Sequence, residues 1–203
     1  DCNVAVGWDA GSSDLYGDSN VSVGRNAGTR SYGSASACNE NVHIGRSSGD
    51  SNYSGDYQVM VGSNAKAYYN NSSYGINLGY NNRTGHSDCI AIGHNAGYSM
   101  YGQSDYHIYI GRAAGYDMDG GDYDIFIGNY CGYGGGSGGN NVALGYSNLY
   151  DLTTGSLNVA IGNQAGNEMT EGIGNVLVGH EAGEEIQTGA YNVYIGYGSA
   201  QGV

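Results

Sequence analysis

The side chains with the most chemical capacity are few and scattered. His86, Cys89 and His94 fall close together, the residue types that ligate metals or pair a nucleophile with a base, but they match no zinc spacing. The stretch Asp117-Met-Asp-Gly-Gly-Asp-Tyr-Asp124 places Asp117, Asp119, Asp122 and Asp124 in a glycine-containing turn, and calcium takes oxygen ligands from such loops. The spacing fits neither an EF-hand nor the nonapeptide of calcium-binding β-rolls, so a solvated acidic turn is the simpler reading. There is no G-x-S-x-G elbow, and the single lysine, Lys66, lies in no phosphate-binding loop. The chain therefore reads as a non-enzyme without a cofactor. Cys2, Cys38, Cys89 and Cys131 form no C-x-x-C pair and read as isolated thiols ahead of disulfides. Asn20, Asn52, Asn70, Asn71 and Asn82 begin N-x-[ST] sequons, which matter only in a eukaryotic secretory pathway.

These residues sit in an unusual background. The 203 residues include 39 glycines, 21 tyrosines and no proline. Interior glycine weakens helices by about 1 kcal/mol each, and collagen is excluded because the Gly-X-Y period is missing. Nineteen acids against six bases give a formal charge of -13. That balance argues against nucleic-acid wrapping and against an anionic membrane surface, both of which need clustered Lys and Arg. No apolar run approaches the roughly 20 residues of a membrane span.

A repeat accounts for the glycine. An aliphatic residue, any residue, a second aliphatic residue and glycine recur, with glycines at 7, 24, 45, 62, 79, 93, 111, 128, 145, 162, 179 and 196. The gaps are mostly 17 residues and are all 17 from Gly111 onward. The aliphatic positions are always Val, Ile or Leu, as in Val142/Leu144 and Val159/Ile161. Alternation with period two means strand, with both aliphatics on one face. A small residue follows three places after most glycines (Ala27, Ala96, Ala114, Ala165), and a second glycine often comes next (Gly28, Gly97, Gly115, Gly166), as a tight corner requires. The sequence thus predicts one all-β domain over 1–203, a parallel β-solenoid or β-roll of about 12 coils. Each coil is read as two short strands and two glycine corners, with a weak apolar signal for the second strand at Leu15, Met100, Met118, Leu152, Met169 and Ile186. Stability must then come from stacking of neighbours.

In this reading the twin aliphatics point into the core, so that Ile110→Ala costs about 2–5 kcal/mol by cavity formation. The residue between them (Met60, Tyr109, Phe126, Leu177 in four coils) points the other way, onto a second surface packed against other chains.

Repetition turns each position into a column along the rod. Directly after the motif glycine come Trp8, Arg25, Arg46, Tyr80, His94, Arg112, Tyr146, His180 and Tyr197, interspersed with Ser63, Asn129 and Asn163. Aromatic faces with arginine and histidine donors suit a glycan or acidic polysaccharide, and a solvated or subunit-facing stripe is the plainer alternative. Tyr98, Tyr116, Tyr133 and Tyr150 make a tyrosine ladder, and Tyr57, Tyr74, Tyr106, Tyr123 and Tyr191 a second column. Stacked rings of this kind stiffen a rod. An asparagine often precedes the first aliphatic, as at Asn141, Asn158 and Asn175, where its amide can bond turn backbone or its own copy in the next coil.

Stretches such as Asn158-Val-Ala-Ile-Gly-Asn-Gln-Ala-Gly166, together with Leu152-Thr-Thr-Gly-Ser-Leu-Asn158, resemble the N-x-A-[IV]-G-x-x-A-G repeats of bacteriophage tail-fibre-type proteins. They are also similar to the shorter head repeats of YadA-like trimeric autotransporter adhesins. The resemblance covers nearly the whole chain. It implies three chains side by side in an extracellular or virion-surface fibre that contacts cell-surface glycans, with no nucleic-acid partner and no membrane insertion. The alternatives are a self-assembling extracellular filament without a receptor, an ice-binding solenoid and a polysaccharide-degrading spike.

Overall fold

The computed structural model describes residues 2–12, 17–29, 38–50, 55–67, 72–84, 87–99 and 105–200. Leu15, Asn52, Asn70, Asn71, His86 and Met100 lie outside the described residues. Twelve strands pair in chain order into one parallel sheet. They are β1 (Val4–Val6), β2 (Val21–Val23), β3 (Val42–Ile44), β4 (Val59–Val61), β6 (Ile76–Tyr80), β8 (Ile90–His94), β9 (Ile108–Ile110), β10 (Ile125–Ile127), β11 (Val142–Tyr146), β12 (Val159–Asn163), β13 (Val176–Val178) and β14 (Val193–Ile195). The chain is a parallel β-solenoid with a period of about 17 residues. Register is held position by position, so that Val142 opposes Val159, and Gly145 opposes Gly162.

The second strand of each coil is largely replaced by turns. Only β5 (Lys66–Ala67) and β7 (Arg83–Thr84) form a further two-stranded sheet. In later coils the bridges fall further round, at Ser156, Ile173 and Ala190, each eleven residues after its motif glycine. The backbone still bonds coil to coil through this region, for example Thr170 N to Gln187 O at 2.9 Å.

The core reverses the sequence expectation about which strand face is inside. The middle residue of each strand is buried, and the flanking aliphatics are half-buried or exposed, as in β4, β9 and β13. Met60, Tyr109, Phe126 and Leu177 fill the interior of their own chain, so they form no second surface against other chains. The reason is space. Ala27, Ala96, Ala114, Cys131, Ala165 and Ala182 line the opposite wall so closely that each strand sends in one side chain. Volumes compensate across this gap. A Cβ on Gly132 would run into the Phe126 ring and one on Gly115 into Tyr109, so large side chains face glycine. Ala143 and Ala160 lie in the same cluster as Leu149, Leu152 and Met169.

Two side-chain ladders brace the corner before the sheet. In the first, each amide oxygen accepts the backbone N–H of its copy one coil on: Asn158 N to Asn141 Oδ1 and Asn175 N to Asn158 Oδ1, both 3.0 Å. Its amide NH₂ donates to the turn, as from Asn158 Nδ2 to Gly172 O at 2.7 Å. Two residues earlier, a second ladder runs in the opposite sense: Asn39 N donates to Asp56 Oδ1 (2.6 Å) and Asp105 N to Asp122 Oδ1 (3.0 Å). The first ladder is buried, where paired polar groups are stabilising and unpaired ones costly. Of the four cysteines, Cys2 is exposed and Cys38, Cys89 and Cys131 are buried.

Candidate ligand-binding surface

The corner after the sheet is built by three positive-φ residues in most coils, and by two in the coils that form β5 and β7. In one coil these are Gly24 (+131°), Asn26 (+57°) and Gly28 (+63°). The tight turn throws the residue after the motif glycine outward. Trp8, Arg25, Arg46, Tyr80, His94, Arg112, Tyr146, His180 and Tyr197 are all exposed, and Trp8 lines a shallow cleft with Arg25 and Asn26. Within the column Tyr80 stacks on His94 (5.2 Å) and His180 on Tyr197 (5.1 Å). The Arg112 guanidinium lies 5.6 Å from the Tyr130 ring, which meets Tyr146 edge-on. Tyr130 was not among the sequence candidates; its signal is a tyrosine at a left-handed corner position, φ +60°.

The tyrosine ladder forms as expected. Tyr98, Tyr116, Tyr133 and Tyr150 stack at 5.1, 4.9 and 4.8 Å, and the Arg83 guanidinium caps the run 4.4 Å from the Tyr98 ring. In the other column Tyr57 stacks on Tyr74, and Tyr106 on Tyr123, at 5.1 and 4.9 Å with their planes nearly parallel. Rings stacked along the axis cover one another's faces and show solvent mainly their edges. A sugar ring can therefore stack only on the ends of these runs.

The acidic turn does not gather into a metal site. Asp124 is buried in the first corner ladder, the Asp122 carboxylate accepts the Asp105 N–H, and Asp117 and Asp119 are exposed. Among the described residues no three His, Cys, Asp or Glu are placed to hold a metal ion. Cys89 is buried and His94 exposed, so these two share no pocket. No helix of the described residues is long and apolar enough to cross a membrane.

Three buried groups titrate between about pH 4 and 7. Burial pushes His43 and His107 down to about 4 and Asp124 up to about 7. His107 Nδ1 accepts the Asp124 N–H at 3.3 Å, which fixes a neutral imidazole, and below about pH 7 the Asp124 carboxyl beside it is neutral too. Between pH 6.5 and 4 the unfolded chain takes up a proton at each histidine that the folded chain refuses, so both destabilise the fold as pH falls. Asp124 acts the other way, because the folded chain holds a proton below pH 7 that the unfolded chain loses until about pH 4. His107 and Asp124 nearly cancel, which leaves His43. Acidification from pH 7 to 4 is expected to remove about 3 kcal/mol. Denaturant titrations at several pH values should show Asp124→Asn steepening this loss and His43→Gln removing most of it. An unchanged slope in both variants would refute the assignment.

Comparison of the chain with protein-family models, with curated proteins and with solved structures returns no match.

Proposed function

We propose that this chain is the rod segment of an extracellular or virion-surface fibre or adhesin, of the phage tail-fibre type, assembled from three parallel chains and offering its outer columns to cell-surface glycans. The observation that carries the reading is the outward face of the twelve-stranded sheet. Two unbroken rows of Val, Ile and Leu run its length, about 53 Å for eleven strand spacings of about 4.8 Å. Ile44, Ile127 and Ile161 are 39, 37 and 37% exposed, although the side chains beside them belong to the same apolar strip. A strip this long and continuous marks an association surface on a soluble protein. A core one side chain wide gives each coil little stability of its own, which association reinforces. The number three rests on the resemblance of the repeats.

Light scattering tests the assembly. The expected mass is three times the 21.0 kDa of one chain, and Ile127→Glu with Ile161→Glu should return the protein to one chain while its circular dichroism stays β-rich. A wild-type monomer would sink the reading, and open-ended polymers would favour the filament instead.

A further inference from the structure

Charge is divided unevenly along and around the rod. Residues 1–112 hold all six Lys and Arg with nine acids, whereas residues 113–203 hold ten acids and no Lys or Arg. Around the rod, the division is by corner. Six successive coils each place one basic side chain within four residues after the motif glycine: Arg25, Arg46, Lys66, Arg83, His94 and Arg112. The four-residue corners that carry them (25–28, 46–49, 63–66, 80–83, 94–97 and 112–115) contain no acid. All six side chains are exposed or half-exposed.

From this arrangement we infer that the corner following the sheet, from Arg25 to Arg112, is a docking stripe for an extended anionic polysaccharide bearing one carboxylate per sugar. The inference rests on the reading of the chain as a glycan-presenting rod and names the class of glycan. Successive coils advance one strand spacing along the rod, about 4.8 Å, so the stripe extends about 24 Å along the axis, with Lys66 and Arg83 set three residues further round the corner than the other four side chains. One pyranose of a stretched chain spans a similar length, so each coil can meet one sugar. Guanidinium groups take carboxylates bidentately. Apolar partners for sugar rings lie beside them: Trp8 in the cleft with Arg25, Tyr80 stacked on His94 and Tyr130 beneath Arg112.

Lys66 and Arg83 stand directly opposite in the β5–β7 register, an unfavourable placement for like charges. The Asp50 carboxylate reaches Lys66 at 3.3 Å, and Arg83 lies over the Tyr98 ring. A bound row of carboxylates would add partners to both side chains. Duplex DNA fits less well. It carries a charge every 1.7 Å or so, far denser than the stripe, and the acid-only half of the rod repels a long polyanion of that density.

Isothermal titration of the assembled protein at low salt tests the stripe. The probes are polygalacturonate oligomers, neutral dextran oligomers and a single-stranded thymidine oligonucleotide. Polygalacturonate alone is expected to bind, with an affinity that falls as salt rises. Arg25→Ser/Arg46→Ser/Arg112→Ser should weaken it at least tenfold, and Thr188→Ala, exposed in the acidic half and in none of the outer columns, should leave it unchanged. If the triple variant loses its β-sheet circular dichroism, the Arg25→Ser/Arg46→Ser pair should still weaken binding. Undiminished binding by the folded arginine variants, or no binding of polygalacturonate, would overturn the stripe. Oligonucleotide binding as tight as that of polygalacturonate would overturn the ligand class. Dextran binding in place of polygalacturonate would overturn the stripe but leave a glycan-presenting rod. The assembled mass judges the rod itself by a separate measurement.

Discussion

Replacing Phe126 by alanine is expected to lower stability by about 3–5 kcal/mol, a large share of the 5–15 kcal/mol that usually holds a domain together. The ring is fully buried and stacks on Tyr109 at 5.4 Å. Gly132 stands across from it, where a Cβ would strike the ring, so no neighbour can swing in to refill the space. Denaturant melts followed by circular dichroism should show the loss, and the transition should broaden, since coils report mainly on their neighbours. Ile110→Ala provides the contrast. Its side chain is half-buried on the outward face, so a separated chain should lose only about 1 kcal/mol. Any larger effect should appear as weaker association that depends on protein concentration. Equal, concentration-independent losses at the two positions would show that the inside and outside of the strand have been exchanged.

Gly111→Ala should be at least as damaging, at about 4 kcal/mol or more. Gly111 holds φ at +134°, and an added Cβ would sit 2.5 Å from Gly128 O and 2.6 Å from its carbonyl carbon. The obstacle is backbone in the next coil, which can yield only by opening the sheet. Gly196 separates the two causes. It has φ +121° but nothing within 4 Å of the added atom, so Gly196→Ala carries backbone strain alone, about 1–3 kcal/mol. Melts of the two variants should differ by the clash. If they coincide, close approach of the coils is not what demands glycine here.

The strand positions, their parallel stacking and the register were legible because Val159-Ala-Ile-Gly and its copies repeat at a fixed interval, and identical coils stack most simply on themselves. The inside of the strand was not legible. Period two says that Ile108 and Ile110 share a face, but not that this face is the outer one. That depends on how near the opposite wall lies, which Ala114 and Gly115 settle only once the corner is folded. Hydrophobicity was the misleading cue, because the outward rows are more uniformly aliphatic than an interior holding Ser22, His43 and Asn77. The second strand was over-read for a related reason. Met118, Leu152 and Met169 are buried, but turns rather than strands carry them inward. On the surface, the outward throw of the post-glycine residues followed directly from the corner. Lys66 and Arg83 escaped notice because they stand three places later than the other arginines, in the two coils that form β5 and β7.

The asparagine column also has a mechanical meaning. Its side chains and the sheet's hydrogen bonds point along the rod, so a lengthwise pull loads each junction between coils in turn, like links in series. Such a rod is as strong in tension as its poorest link. The column runs unbroken from Asp124 to Asn192, but Gly75, with no side chain, and Cys89 stand in it further back. The same region holds the shortest repeat, fourteen residues from Gly79 to Gly93. Under tension the rod has its fuse there, within the span that carries its positive charge and ahead of the well-braced C-terminal half.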